Sequence, residues 1–156
     1  MVIKTIRLLH LLSYMLVTSQ VLFYLFILSD ALKVISLDSF FEQRKAIDSL
    51  MLGRFKLMYY SCLVLSLGIV FLSARNPSSP FFISSLVALI FLIVDLVITI
   101  KVSMPLNSIA HTYATGSESA NWEAVRIEWL NYMKYRGVAI MIGMVSLIAG
   151  LVFGKN

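Results

Sequence analysis

Four stretches of this chain are apolar for long enough to cross a lipid bilayer, and polar residues gather at their ends and in the connections between them. A hydrocarbon core about 30 Å thick takes about 20 residues of helix. The runs at about residues 6–29, 55–74, 81–102 and 134–154 each meet that length. The pattern predicts an all-α integral membrane four-helix bundle, with residues 1–156 forming a single domain.

The polar stretches set the expected boundaries. The opening MVIKTIR, followed by the apolar run Leu8 to Ser29, superficially resembles a signal peptide. The run is long and no A-x-A-like site follows, so a retained first span is expected. Asp30 should end it, with SDALKVISLDSF as a short connection and Asp38 or Ser39 capping the next helix. From Phe40 no proline interrupts the chain until the second span is complete. A helix of about 35 residues, roughly 50 Å long, is therefore expected to project well beyond the bilayer. Arg75-Asn76-Pro77-Ser78-Ser79-Pro80 reads as a tight turn. Met104-Pro105-Leu106-Asn107 should break the helix after the third span, and HTYATGSESAN should form a loop in water. Asn121 or Ser119 can cap the last helix, whose wet first half runs into the charge-free segment Gly137 to Gly154. The second and fourth helices are thus both expected to extend beyond the bilayer, on the same side. The halves of the chain are loosely alike, each with a span, a polar connection and a longer helix. Phe41-Glu42-Gln43-Arg44 opens one long helix and Trp122-Glu123-Ala124-Val125-Arg126 the other.

Candidate chemistry concentrates before the fourth span. On a helix, Trp122, Arg126, Trp129, Met133 and Arg136 fall at steps of four, three, four and three, so they share one face. Tryptophan and arginine are common anchors at the membrane boundary. Two guanidiniums on the inner face of a helix entering a bilayer also need a partner or a ligand. Asp95 lies within the third span, where a carboxylate costs about 2.5–3.5 kcal/mol and should face the bundle interior. Asp95 and His10 are candidate site residues; a hydrogen-bonded boundary histidine and a bundle-locking carboxylate are the plainer readings. Gln20 is expected to bond across to another helix.

Composition sharpens this picture. The chain is 60% hydrophobic and 13% charged, with mean hydropathy +0.90, whereas a soluble domain has about a quarter of its residues charged. The net charge of +5 is scattered over span ends without a nucleic-acid motif, which suits lipid headgroups rather than nucleic acid. Nine of the 13 basic residues lie on the side of the two long connections, which favours an inner, cytoplasmic membrane with those connections in the cytoplasm. The single Cys62 excludes an intrachain disulfide and a cysteine metal motif. Phosphate loops, zinc signatures and serine-nucleophile motifs are absent from the sequence. The ladder Ser146, Gly150 and Gly154 would let another helix approach closely, as in an oligomer.

The motif Pro105-Leu106-Asn107, with Trp122, Arg126, Trp129 and Arg136 after it, resembles the anthrone-oxygenase-like family of small four-span membrane proteins. That family has P-x-N after its third span and W-x(3)-R-x(2)-W-x(6)-R leading into its fourth. It often carries Asn or His where this chain has Met133. The resemblance implies an oxidoreductase or oxygenase that attacks a lipid-soluble polyphenol or quinone-like substrate with O₂, without a cofactor motif. Asp95 or His10 would be the base, Arg126 and Arg136 would hold the anion, Trp122 and Trp129 would stack the rings, and Asn107 would orient a carbonyl. Two other readings compete with it. In one, the arginines and tryptophans form a network with Glu42, Asp48 or Asp30 that only stabilises the bundle, in a structural or accessory subunit. In the other, His10 and His111 serve haem or another redox metal, but they are expected on opposite sides of the membrane.

Overall fold

The computed structural model describes residues 2–114 and 120–154. Its helices are α1 (Val2–Phe23), α2 (Ser29–Val34), α3 (Leu37–Ser73), α4 (Pro80–Ile98), α5 (Met104–His111) and α6 (Ala120–Phe153). π-helical turns at Tyr24–Leu28 and Thr99–Ser103 join α1 to α2 and α4 to α5 without a break. The result is an all-α bundle of four rods, each containing a segment long and apolar enough to span a membrane: Thr5–Val34, Gly53–Ser73, Pro80–His111 and Asn121–Phe153. The outward side chains are apolar, with Leu16, Phe26, Val64, Phe71, Ile90 and Val145 all exposed. A surface of that kind belongs in lipid, and the chain is a multi-pass membrane protein.

The 37 residues of α3 and 34 of α6 correspond to about 50–55 Å of helix, so both project beyond the bilayer on one side as expected. The first and third rods do so too, which corrects two expected boundaries. Asp30 does not end the first helix; α2 carries it on to Val34, with a 2.6 Å Lys33–Asp30 ion pair on its surface. Nor does Pro105 break the third. Proline lacks an N–H and its ring strikes the carbonyl four residues back. In the π turn the Met104 N–H instead reaches back five residues to the Thr99 carbonyl, and the widened helix admits Pro105 in the next turn. The cap of α3 is Ser36 rather than Asp38 or Ser39, its hydroxyl accepting from the Ser39 N–H at 3.2 Å. Asp38 then lies in the first turn, where the helix dipole favours it. The Pro77–Pro80 turn forms as read: Ser79 caps α4 through the Phe82 N–H at 3.1 Å, with Pro80 in the first turn. His111 closes α5 instead of opening a loop, Asn121 lies inside α6, and Ser119 is outside the described residues.

The repeat in the sequence becomes a repeat in structure: rod, π turn, short helix, long helix, twice. Phe41 and Trp122, which open the two long helices, meet edge-to-face at 5.3 Å between ring centres. One core cluster packs Tyr14, Tyr59, Cys62, Leu92 and Ile140 at membrane depth; another packs Phe40, Phe41, Leu106, Tyr113 and Trp129 at the wet end. The most extensive helix contact, α4 against α6, uses the small-residue ladder. A Cβ on Gly150 would collide with the Ser84 hydroxyl, and Ser146 donates to the Ser84 carbonyl at 3.3 Å. Ser146 and Gly150 face a neighbour within the chain, and Gly154 continues the line toward Phe81.

Candidate functional site

The stripe on α6 divides according to what each level of the bundle offers it. Near the wet end, Arg126 is spent on joining elements. Its Nη1 donates to the Ile35 carbonyl at 2.7 Å, and its Nη2 and Nε grip the Glu123 carboxylate at 2.6–3.3 Å. Trp122 packs edge-on against Phe41 and against Tyr113, whose ring centre lies 5.0 Å away. The Tyr113 hydroxyl donates to Asp38, and that bond holds its pKa above the usual phenol value.

Two turns deeper, Trp129 Nε1 donates to Asn107 Oδ1 at 2.8 Å. Asn107 stands one turn after the π turn, which brings α5 against α6 and the wet half of α3. Deeper again, Arg136 is almost fully buried and ties three helices together. Its Nε donates to Asp95 Oδ1 at 2.7 Å, its Nη2 to the Tyr59 hydroxyl at 3.1 Å and its Nη1 to the weak acceptor Met133 Sδ at 3.4 Å. Asp95 is completely buried. It serves as the counter-ion of Arg136, which explains how a carboxylate is tolerated at that depth.

Between these levels lies a cavity of about 200 Å³. Trp129, Tyr24, Phe55 and Tyr59 give it aromatic walls, and Arg136 and Arg44 mark its two ends. Its lining on α3 runs from Arg44, before the apolar segment Gly53–Ser73, to Tyr60 inside it. Sixteen residues of helix make that about 24 Å along the membrane normal. Tyr60, Ile100 and Met104 line it and are also exposed on the outer surface, so it opens sideways between α3 and the third rod. The guanidinium of Arg44 lies over Trp129, 4.5 Å from the ring centre, and pairs with Asp48 one turn along α3.

Three residues that line the cavity carry buried polar atoms without partners. Gln20 Oε1, Arg44 Nε and Ser103 Oγ are buried and make no hydrogen bond, and all three residues line it. Burying such a group unsatisfied costs about 1–3 kcal/mol. Arg44, Lys56 and Arg136 against Asp48 and the Arg136-bound Asp95 leave one net positive charge.

Of the residues read from the sequence as a site, the structure brings Asn107, Trp129 and Arg136 to the cavity, with Asp95 directly behind Arg136. It does not bring Trp122, Arg126 or His10. Trp122 and Arg126 share the helical face but sit above the cavity, among the wet-end contacts. His10 is buried about 15 Å down α1 from Gln20, with Nε2 2.9 Å from the Ser66 hydroxyl. His111 lies at the wet end, 3.2 Å from Asp48 Oδ2, so the two histidines do not converge. Among the described residues no cluster of three or more metal-binding side chains occurs. Sequence reasoning gave no site role to Arg44, Tyr24, Tyr59 or Ser103, and treated Asp48 only as a network partner. The available signal was Arg44 with Asp48 at i, i+4 on the half of α3 that precedes the membrane.

The class that fold and site define is a four-span helical membrane protein with a laterally open, aromatic, cationic cavity. Comparison with family models, curated proteins and solved structures finds no match to this chain.

Proposed function

We propose that the cavity binds a planar, lipid-soluble aromatic molecule of the phenol or quinone type, and that the protein is an oxidoreductase or oxygenase acting on it. The observation that carries this reading is the sideways-open cavity itself, with aromatic walls and the cationic side chains of Arg44 and Arg136 in its lining. A ligand dissolved in the bilayer can enter without crossing water. Its rings would lie against Trp129 and Tyr24, and its oxygens would accept from Arg44 and Asn107 at one end and from Arg136 Nη1 at the other. O₂-dependent oxidation is what the family resemblance implies, and an electron-rich phenolate held among cations is the form of a phenol that reacts with O₂ directly. No metal or haem enters this reading. The wet-end set, Trp122 with Arg126 and Glu123, supports the alternative role of bracing the bundle, because Arg126 is already saturated. From the distribution of Lys and Arg we place both long connections in the cytoplasm.

The chain has only two tryptophans, one in the cavity and one outside it, which supplies the test. In a Trp122→Phe background, 2-methyl-1,4-naphthoquinone should quench the remaining Trp129 emission saturably in nanodiscs, and Arg44→Met should weaken that quenching. A linear, non-saturating response equal to that of free tryptophan in lipid would refute the site. Oxygen consumption with a polyphenol present then tests the reaction.

A further inference from the structure

The mouth of the cavity lies on one side. Of the side chains that line it, those exposed are Lys56, Tyr60, Ile100 and Met104, from α3 and the third rod. The first rod and α6 contribute only buried or half-buried ones, among them Gln20 and Trp129. Lys56 and Tyr60 belong to the apolar segment Gly53–Ser73, and Ile100 and Met104 to Pro80–His111, so the mouth opens at bilayer depth. Lys56 stands one turn nearer the wet half of α3 than Tyr60, where its flexible stem can carry the charge toward the headgroups. Below Lys56 the flanking faces are apolar. Val64 and Leu67 follow Tyr60 at steps of four and three on α3, and Val97 and Ile93 continue from Ile100 on the third rod, all exposed.

We infer that the ligand is a single-tailed aromatic lipid, whose ring occupies the cavity and whose apolar tail leaves between Tyr60 and Ile100 into the bilayer. This rests on the binding reading above and specifies its ligand chemistry. A pocket that encloses a drug-sized molecule whole has about 300–1,000 Å³, and this one has about 200 Å³. It has room for a small fused-ring system and none for a long hydrocarbon chain beside it. The polar edge of the ring points inward, toward Asn107 and Arg136 in the lining. A tail on the opposite edge meets only apolar side chains and lipid. A chain already surrounded by lipid gains little by moving onto an apolar protein face. The tail therefore leaves the affinity of the ring nearly unchanged, and Tyr60, Ile100 and Met104 set specificity through the width of the gap they leave.

The test uses two probes with one head, 2-methyl-1,4-naphthoquinone and its 3-phytyl derivative. Each is added to the whole chain carrying Trp122→Phe, in nanodiscs. Trp129 quenching is read against the mole fraction of quinone in the lipid, which removes the difference in partitioning. Both probes should quench saturably, with half-saturation within about threefold of each other. Ile100→Phe and Met104→Phe together narrow the mouth without adding charge or tryptophan. They should raise the half-saturation of the phytyl probe about tenfold more than that of the tailless one, the fold-change of an overpacked contact. Saturation by the tailless probe reports that this variant is folded. Val145→Phe, at an exposed position on α6 away from the mouth, should move neither probe. A tailless probe that saturates where the phytyl one does not, with the mouth unaltered, would overturn the tail assignment and leave the cavity as a binding site. So would a double variant that shifts both probes alike or shifts neither. If neither probe saturates with the mouth unaltered, the binding reading fails as well.

Discussion

Removing the Asp95 carboxylate should cost this bundle more than any substitution on its surface. Arg136 would keep the Tyr59 hydroxyl and the Met133 sulfur but lose the one anion that balances it, and both partners are buried, at 8% and 0% side-chain exposure. Breaking a buried pair by deleting one partner costs about 3–5 kcal/mol, because a charge remains uncompensated. That is a factor of about 10²–10⁴ in the folding equilibrium. Asp95→Asn should fall between Asp95→Ala and wild type, since an amide oxygen can still accept from Arg136 Nε. The double variant Asp95→Leu with Arg136→Met removes both charges and should return to within about 1 kcal/mol of wild type. The assay is equilibrium unfolding in mixed micelles at rising dodecyl sulfate, followed by tryptophan emission. If Asp95→Ala unfolds with the wild type, or if the double variant is as unstable as the single, Arg136 is not held by this carboxylate and the floor of the cavity is wrongly drawn.

Other consequences follow at separate places in the molecule. Gly143→Val should cost about 1–3 kcal/mol by overpacking, because a Cβ there collides with the Tyr14 hydroxyl and dislodges it from the Ala88 carbonyl; the same unfolding assay reads it. Ser36→Ala should destabilise the start of α3 by about 1 kcal/mol, seen as faster amide exchange over Leu37–Phe41. Asp38 raises the pKa of Tyr113 in the folded protein, so its contribution is complete below the unfolded phenol value of about 10 and is lost as pH rises through the folded one. Stability should therefore fall on the alkaline side, and Tyr113→Phe should flatten that fall. Trp129→Phe leaves the Asn107 amide oxygen with only the long bond from Arg44 Nη2 and should weaken naphthoquinone binding about tenfold, measured by displacement of a coloured ligand.

Much of this fold was readable from residue order, because lipid imposes a length on every apolar run and water returns at every proline and cap. Pro80 after Ser79 could be assigned for that reason. The two π turns could not, since one additional residue in a helix leaves the apolar pattern intact, and Pro105 by itself looks like a terminator. The stripe from Trp122 to Arg136 was legible as a face but not as a set of neighbours. Ten residues separate Arg126 from Arg136, about 15 Å of helix, and over that distance the surroundings change from the Ile35 carbonyl to the Asp95 carboxylate. Periodicity reports direction, whereas partners depend on which rods stand opposite. Asp48 was read only as a network partner because a surface-type carboxylate four residues after an arginine is ordinary on any wet helix.

The two π turns give each split rod a pair of independently set rotations. A π turn takes up one residue more than an α turn, and one residue advances an α-helix by about 100°. Winding Thr99–Ser103 as straight α-helix at its present length would therefore swing Asn107 and His111 roughly a quarter-turn away, whereas deleting one position there would leave them about where they stand. The half in the bilayer would remain as it is. Changes of phase at these two points can thus re-aim the upper ends of the rods without disturbing how the lower ends pack.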